Sequence, residues 1–85
     1  MQVKVLFFAS FKELLGEESM MVTLNEGANV ELLCESISQN GAEWLELFGN
    51  PGATVKVSVN QEMAELTDSL KDGDEVAFFP PVTGG

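Results

Sequence analysis

The chain has 85 residues, 45% of them hydrophobic, which is the size and composition of one globular domain rather than of a disordered segment. Its 14 acidic residues against four lysines give a net charge of −10, which excludes nucleic acid as a direct ligand, disfavours an anionic membrane surface and favours partner proteins with basic surfaces. The absence of histidine excludes catalytic triads and histidine-ligated metal sites, and the single cysteine, Cys34, excludes an intrachain disulfide.

The first part of the chain has the pattern of two strands. Over residues 3–8, one set of side chains (Val3, Val5 and Phe7) alternates with another (Lys4, Leu6 and Phe8), which predicts an opening strand. Residues 11–15 predict a short helical turn that ends at Gly16. The alternation over residues 19–24 predicts a second strand, antiparallel to the first.

The next segment, residues 30–37, has the spacing of an amphipathic helix. Its apolar residues recur three and four positions apart, whereas acidic and polar residues occupy the other side. Asn29 is a suitable N-cap, and Gly41 suits the left-handed conformation that ends a helix. Cys34 lies within the apolar stripe, so it is predicted to be a buried core residue rather than a reactive sulfur site. The stripe consists of Val30, Leu33, Cys34 and Ile37.

The second half of the chain is predicted to complete a sheet. Residues 42–48 predict a second short helix, residues 50–52 a turn, and residues 55–59 the most regular strand of the chain. The remaining segments are a short extended piece at 63–66, an acidic turn region at 68–75 and a closing strand at 76–79. Pro80 and Pro81 end this strand, because neither proline has a backbone N–H that could donate a hydrogen bond to a neighbouring strand.

This order of elements predicts an α+β fold, a ubiquitin-like β-grasp in which a mixed sheet carries one main helix across one face. The domain occupies residues 1–79, and residues 80–85 form an extended tail with a flexible Gly-Gly end. The first and last strands are expected to lie side by side. One face of the sheet is then expected to pack under the helix through Val3, Val5, Phe7, Val55, Val57, Val59, Val76 and Phe78. The opposite side, called the outer face here, is expected to present Lys4, Leu6, Phe8, Ala77 and Phe79.

The apolar members of the outer face predict a docking surface. Leu6, Phe8, Ala77 and Phe79, together called the docking patch here, are uncharged residues in a strongly acidic chain. The patch is expected to have an apolar centre and an acidic rim, which matches the anatomy of a protein interface. The alternative is that residues 42–48 or a loop fold over the patch and cover it.

The end of the sequence predicts a thin arm. The last ten residues, Val76 to Gly85, contain no charged side chain. Pro80 and Pro81 favour a stiff, extended start, whereas Gly84 and Gly85 have no Cβ and can pass a narrow constriction. The six residues of the arm span at most about 20 Å. This pattern favours delivery of a terminal carboxylate into another protein's active site, although frayed chain ends are common. The arm is Pro80, Pro81, Val82, Thr83, Gly84 and Gly85.

Residues 74–85, from Asp74 through the Phe-Phe-Pro-Pro-Val-Thr-Gly-Gly ending, closely resemble the C-terminus of the molybdopterin synthase small subunit family. Residues 3–9, followed by Glu13 and Leu14, are similar to the first strand and turn of that family. The turn at residues 72–76 also matches. The likeness is dense at both ends of the chain and looser between residues 19 and 63.

The resemblance implies a sulfur carrier of molybdenum cofactor biosynthesis. An E1-like activating enzyme that uses ATP would adenylate the carboxylate of Gly85, and sulfur from a donor protein would replace AMP to leave a thiocarboxylate. The carrier would then give its sulfur to cyclic pyranopterin monophosphate within a heterotetramer of two small and two large synthase subunits. The chain itself would bind no cofactor or metal, and the catalytic side chains would lie on the large subunit. A reducing cytoplasm suits its single free cysteine.

Other function classes share parts of this pattern. A sulfur carrier for thiamine or another thiolated product would use the same terminal chemistry with a different acceptor enzyme. A ubiquitin-like modifier would join its activated terminus to lysines. An inert β-grasp adaptor would not need the tail at all.

Overall fold

The computed structural model of the protein describes residues 1–81. Within these residues the chain forms one mixed sheet with helices against one side of it. The longest helix has eight residues, and every helix described is too short to cross a lipid bilayer. The elements in chain order are β1 (Gln2–Phe7), α1 (Ser10–Leu15), β2 (Ser19–Thr23), α2 (Val30–Ile37), a 3-10 turn (Ser38–Asn40), α3 (Ala42–Phe48), α4 (Pro51–Thr54), β3 (Lys56–Val59), β4 (Glu62–Met63) and β5 (Glu75–Phe79).

The strand order is β2-β1-β5-β3-β4. β1 pairs antiparallel with β2 and parallel with β5, so the first and last strands are neighbours at the centre of the sheet. β3 pairs antiparallel with both β5 and β4. This arrangement confirms the α+β, β-grasp prediction.

Helix α2 forms where the sequence predicts it and covers the inner face of the sheet. The Asn29 side chain accepts a hydrogen bond from the backbone N–H of Leu32 at 2.9 Å, which satisfies one of the free donors at the helix start. The apolar stripe of α2 is buried together with the inward residues of the strands, because burying both apolar surfaces removes them from water. The buried core consists of Val3, Val5, Phe7, Phe11, Val22, Val30, Leu33, Cys34, Ile37, Phe48, Val55, Val57, Leu70, Val76 and Phe78.

Helix α3 lies on the same side of the sheet as α2 and does not cover the docking patch. Phe48 of α3 packs edge-on against Phe78 with ring centroids 5.1 Å apart, and Trp44 packs edge-on against Phe7 at 5.4 Å. Both strand residues point into the core, so these contacts place α3 against the inner face. Phe8, on the outer face, is 48% exposed. The segment 42–48 therefore helps to close the core.

The structure differs from the sequence predictions in the second half of the chain. Residues 51–54 form a helical turn, α4, where a turn at 50–52 was predicted. Pro51 occupies the first turn of α4, where its missing N–H costs nothing, and the hydroxyl of Thr54 donates to the carbonyl of Asn50 at 3.1 Å. Val59, predicted to be in the core, is only half-buried because the neighbouring strand β4 has just two residues and gives little cover.

Candidate functional site

The end of β5 is held firmly because this strand is the middle one of the sheet. Residues of β5 pair with β1 on one side and with β3 on the other, up to Phe79 opposite Lys56. Beyond the paired positions, the backbone N–H of Phe8 donates to the carbonyl of Phe78 at 3.2 Å. Pro80 and Pro81 follow directly and are half-buried. The sheet therefore fixes the point from which the arm starts, while the remaining arm residues, Val82, Thr83, Gly84 and Gly85, lie outside the described residues.

The four residues of the docking patch come together on neighbouring strands. Leu6 lies directly opposite Ala77, and Phe8 follows the paired residues at the end of β1, beside Phe79 at the end of β5. Phe8 is 48% exposed, whereas Leu6 and Phe79 are half-buried. Ala77 is only 8% exposed, because its single methyl group lies between larger side chains on both neighbouring strands. Direct contact with a partner would thus depend mainly on Phe8, Phe79 and Leu6.

Two exposed methionines extend the apolar surface of the outer face towards its edges. Met21 lies opposite Lys4 on β2 and is 58% exposed, and Met63 lies opposite Ser58 on β4 and is 67% exposed. Sequence reasoning missed both. The alternation of inward and outward side chains in β2 was a usable signal that Met21 lies on the outer face. The face of the sheet on which Met63 lies depends on the β3–β4 register, which no local sequence pattern predicts. Unbranched methionine side chains adapt readily to a partner surface.

The outer face carries little of the chain's negative charge. Its outward strand positions include Lys4 and Lys56 but only one carboxylate, Glu75, which lies opposite Lys4. The chain as a whole has 14 acids and four lysines. An apolar surface that is close to neutral loses less hydration energy on contact with another protein than a charged one does. The charge distribution therefore favours docking through this face.

Ala9 connects β1 to α1 in an unusual backbone conformation. Its φ of 54° and ψ of −133° lie in a region that normally requires glycine. Holding a residue with a Cβ there costs on the order of 1–3 kcal/mol, and such strain is concentrated at functional sites. Ala9 directly follows Phe8, so this bend sits at the rim of the docking patch.

The acidic residues near the start of β5 are structural. A carboxylate oxygen of Asp72 accepts from the backbone N–H of Gln2 at 2.7 Å. The carboxylate of Asp74 accepts from the side chain of Asn60 at 3.0 Å and from the backbone of Lys71 at 2.8 Å. Over residues 1–81 no cluster of acids, cysteines and histidines has the arrangement of a metal site. These acids instead fix the turn that leads into β5.

Cys34 lies in the core and is fully buried, as predicted. Burial, with a smaller contribution from the nearby Glu31 carboxylate, raises the pKa of the Cys34 thiol to about 12. The thiol therefore keeps its proton at neutral pH and is neither nucleophilic nor accessible.

We expect thiol reagents to leave Cys34 unmodified in the native protein at about pH 8 and to modify it fully in denaturant. The unfolded thiol ionises near pH 9.0, whereas the folded one stays protonated until about pH 12. Because the folded state then binds more protons, the free energy of unfolding should fall as pH rises above 9 and should not depend on this thiol below it. Denaturant melts of the wild type and of Cys34→Ala over this range measure the effect. Rapid native labelling, or an identical pH slope in the two proteins, would contradict the assignment.

Comparison with known proteins gives matches over the full length of the chain. Residues 5–85 match the ThiS family. The molybdopterin synthase sulfur carrier subunit of Haemophilus influenzae is 37% identical over 83 residues, covering 98% of this chain and 99% of the relative. The protein of the same name from Escherichia coli is 39% identical with the same coverage.

Solved structures with this fold include both molybdopterin-converting factor subunits and archaeal modifier proteins. A molybdopterin converting factor subunit 1 from Pyrococcus furiosus, described as putative, superposes with a TM-score of 0.78 at 36% identity, covering 95% of this chain and 98% of the other. The small archaeal modifier protein 1 of Haloferax volcanii superposes with a TM-score of 0.79 at 28% identity and the same coverage. A complex of subunits 1 and 2 of molybdopterin-converting factor from Helicobacter pylori matches with a TM-score of 0.68 at 30% identity, covering 100% of both chains. The chain belongs to the ThiS family, and its curated relatives at 37–39% identity are molybdopterin synthase sulfur carrier subunits.

Proposed function

We propose that this chain is the sulfur carrier subunit of molybdopterin synthase and that its reactive atom is the carbonyl carbon of Gly85. The observation that carries the proposal is the position of β5. The central strand ends at Phe79 and leads straight into the uncharged Pro-Pro-Val-Thr-Gly-Gly sequence. Full-length identity of 37–39% to sulfur carrier subunits supports the same function.

The chemistry of a carboxylate explains why the carrier needs an activating enzyme. A carboxylate is a poor electrophile because its negative charge repels nucleophiles. Its oxygen attacks the α-phosphorus of ATP, pyrophosphate leaves, and the product is an acyl adenylate with a good leaving group. Sulfur at the oxidation level of sulfide then attacks the carbonyl carbon and AMP leaves, which gives the thiocarboxylate of Gly85.

This chain does not carry the groups that would bind ATP. It has only four cations and no phosphate-binding loop of the GxxxxGK[ST] type. In the proposal, ATP is bound by an E1-like activating enzyme, a separate donor protein supplies the sulfur, and the chain binds no cofactor of its own. The absence of histidine removes the usual proton shuttle, so the catalytic side chains belong to the large subunit.

The docking patch gives the large subunit a surface to bind. In the Helicobacter pylori relative, subunits 1 and 2 of molybdopterin-converting factor form a complex. By our proposal, the partner covers Leu6, Phe8 and Phe79, and the arm enters its active site. There the sulfur is transferred to cyclic pyranopterin monophosphate, and water returns Gly85 to a carboxylate. A dithiolene contains two sulfur atoms and each carrier brings one, so two loaded carriers are used for each product. This number agrees with a heterotetramer that contains two small subunits. We place this complex in the cytoplasm.

A protein modifier remains the second candidate, because a small archaeal modifier protein shares this fold at 28% identity. The intact mass of the chain after incubation with ATP, an activating enzyme and a sulfur source distinguishes the two. We expect the mass to rise by the difference between one sulfur and one oxygen atom. Adducts joined to lysines of other proteins would instead establish the modifier, and an unchanged mass would contradict both. A thiolated chain that served only thiamine synthesis would move the proposal to a different acceptor enzyme.

A further inference from the structure

The helix side of the domain has a cleft of its own. It has a volume of about 340 Å³ and lies between α2, α3 and the start of α4. We call it the helix-side cleft and define it by Glu31, Glu35, Ser38, Leu45, Phe48 and Pro51. Its volume is near the lower limit of the roughly 300–1,000 Å³ found for ligand pockets, which suits one or two side chains of a partner rather than a cofactor.

The cleft combines an apolar lining with carboxylates. Phe48 is a core residue that forms part of the lining, and Leu45 is 59% exposed beside it. Leu45 is among the most exposed large apolar side chains in the part of the chain that the structure describes. Glu31 and Glu35, one turn apart on α2, line the same cleft and are exposed.

The charge around the cleft has one sign. Residues 30–54, which contain all of α2, α3 and α4, have four carboxylates and no lysine. Among residues 1–81, the ion pairs found join Glu26 to the N-terminus and Glu18 to Lys12, so neither Glu31 nor Glu35 has a cationic partner there. The field of Glu31 extends inward, since its carboxylate contributes to the raised pKa of Cys34.

We propose that the helix-side cleft docks a basic amphipathic segment of a partner protein. An aliphatic side chain of that segment packs against Leu45 and Phe48, while neighbouring lysine or arginine side chains pair with Glu31 and Glu35. The aliphatic group fills the apolar part of the cleft, and the cations neutralise two like charges that otherwise repel each other.

Charge complementarity selects this occupant over a second copy of the chain. Each copy has a net charge of −10 and no lysine in residues 30–54, so two copies facing each other here would repel. An acidic partner is disfavoured for the same reason. A partner without an apolar anchor would leave Leu45 exposed to water.

The cleft and the docking patch lie on opposite sides of the molecule. The inward residues of α2 pack in the core against the inner face of the sheet, whereas Glu31 and Glu35 point away from it. A partner in the cleft can therefore bind while the outer face is occupied. This second docking site goes beyond the proposed function and does not depend on it.

Three synthetic peptides test the proposal on the isotope-labelled full chain by nuclear magnetic resonance titration. The first is an amphipathic helix of leucine and lysine, the second has serine for each leucine, and the third has glutamate for each lysine. We expect the first peptide to shift the amide signals of Glu31, Glu35 and Leu45. We expect the second to bind about tenfold more weakly, because it lacks an apolar side chain to bury, and the third not to bind.

Matched variants separate the cleft from the general acidity of the chain. Glu31→Gln with Glu35→Gln should weaken binding of the leucine–lysine peptide by about three- to tenfold, since an exposed ion pair contributes modestly. Leu45→Ser should weaken it by about fivefold or more. The control, Glu13→Gln with Glu17→Gln, removes two exposed carboxylates at the same spacing beside another exposed leucine, Leu14, and should leave binding unchanged.

Three results would overturn the proposal. They are no shift at the cleft, equal affinity for the serine–lysine peptide, or an equal loss of affinity in the control variant. Retained dispersion of the amide signals in every variant shows that the fold is intact, as expected for changes at exposed positions.

Discussion

Deleting Gly85, or adding one residue after it, should abolish sulfur transfer while leaving the domain folded. The proposal places the reactive carbon at the chain terminus, so either change moves the carboxylate by one residue length, about 3.5 Å. A misplacement of about 1 Å already costs on the order of a hundredfold in rate when reacting groups must align. The sheet should not be affected, because β5 ends at Phe79, before the arm begins.

Intact mass after the loading reaction, synthase activity with the large subunit and thermal melting together measure this effect. Glu62→Gln serves as a control, because Glu62 is an exposed residue on the edge strand β4 and belongs neither to the arm nor to the docking patch. It should load and transfer sulfur as the wild type does. A truncated or extended chain that melted normally and still supported synthase activity would eliminate the terminal carbon as the reactive atom.

Phe79→Asp should weaken binding of the large subunit by about 2–4 kcal/mol, roughly thirty- to a thousandfold. Phe79 is the last residue of the central strand and belongs to the docking patch. An aspartate there would place a carboxylate against an apolar surface of the large subunit, with no cation or hydrogen-bond donor to replace its lost hydration. It would also remove the contact area of the phenylalanine ring. Calorimetric titration with the large subunit measures the loss.

Leu32→Asp is the matched control for this variant. It adds the same charge at an apolar residue that is 48% exposed, but on α2, the opposite side of the molecule. We expect its affinity for the large subunit to match that of the wild type. If Phe79→Asp bound as tightly as the wild type, or if both variants lost affinity equally, the docking patch would not be the interface.

Much of the fold is predictable from local patterns. Alternation in β1 and β3 and the three- and four-residue spacing in α2 depend only on which residues must face the core, so these elements fall close to where they were predicted. The pairing of the first and last strands followed from the order of the elements. Burial of Cys34 followed from its place in the apolar stripe.

Other features depend on contacts between distant segments and could not be found this way. The low exposure of Ala77 results from side chains on two neighbouring strands, and the placement of Met63 on the outer face results from the β3–β4 register. The helix-side cleft exists because α3 packs beside α2, which no local periodicity indicates. The roles of the arm residues stay predictions, since residues 82–85 lie outside the described part of the chain.

The parallel pairing of β1 with β5 has a mechanical consequence. The two strands run in the same direction, and the arm leaves from the far end of β5. If a bound partner pulls on the arm while the start of β1 is held in place, the force acts along the two strands. The hydrogen bonds between β1 and β5 are then all loaded in shear at the same time. Hydrogen bonds that are loaded together resist rupture far better than bonds that open one after another. This topology therefore lets a force act on the arm without unfolding the domain.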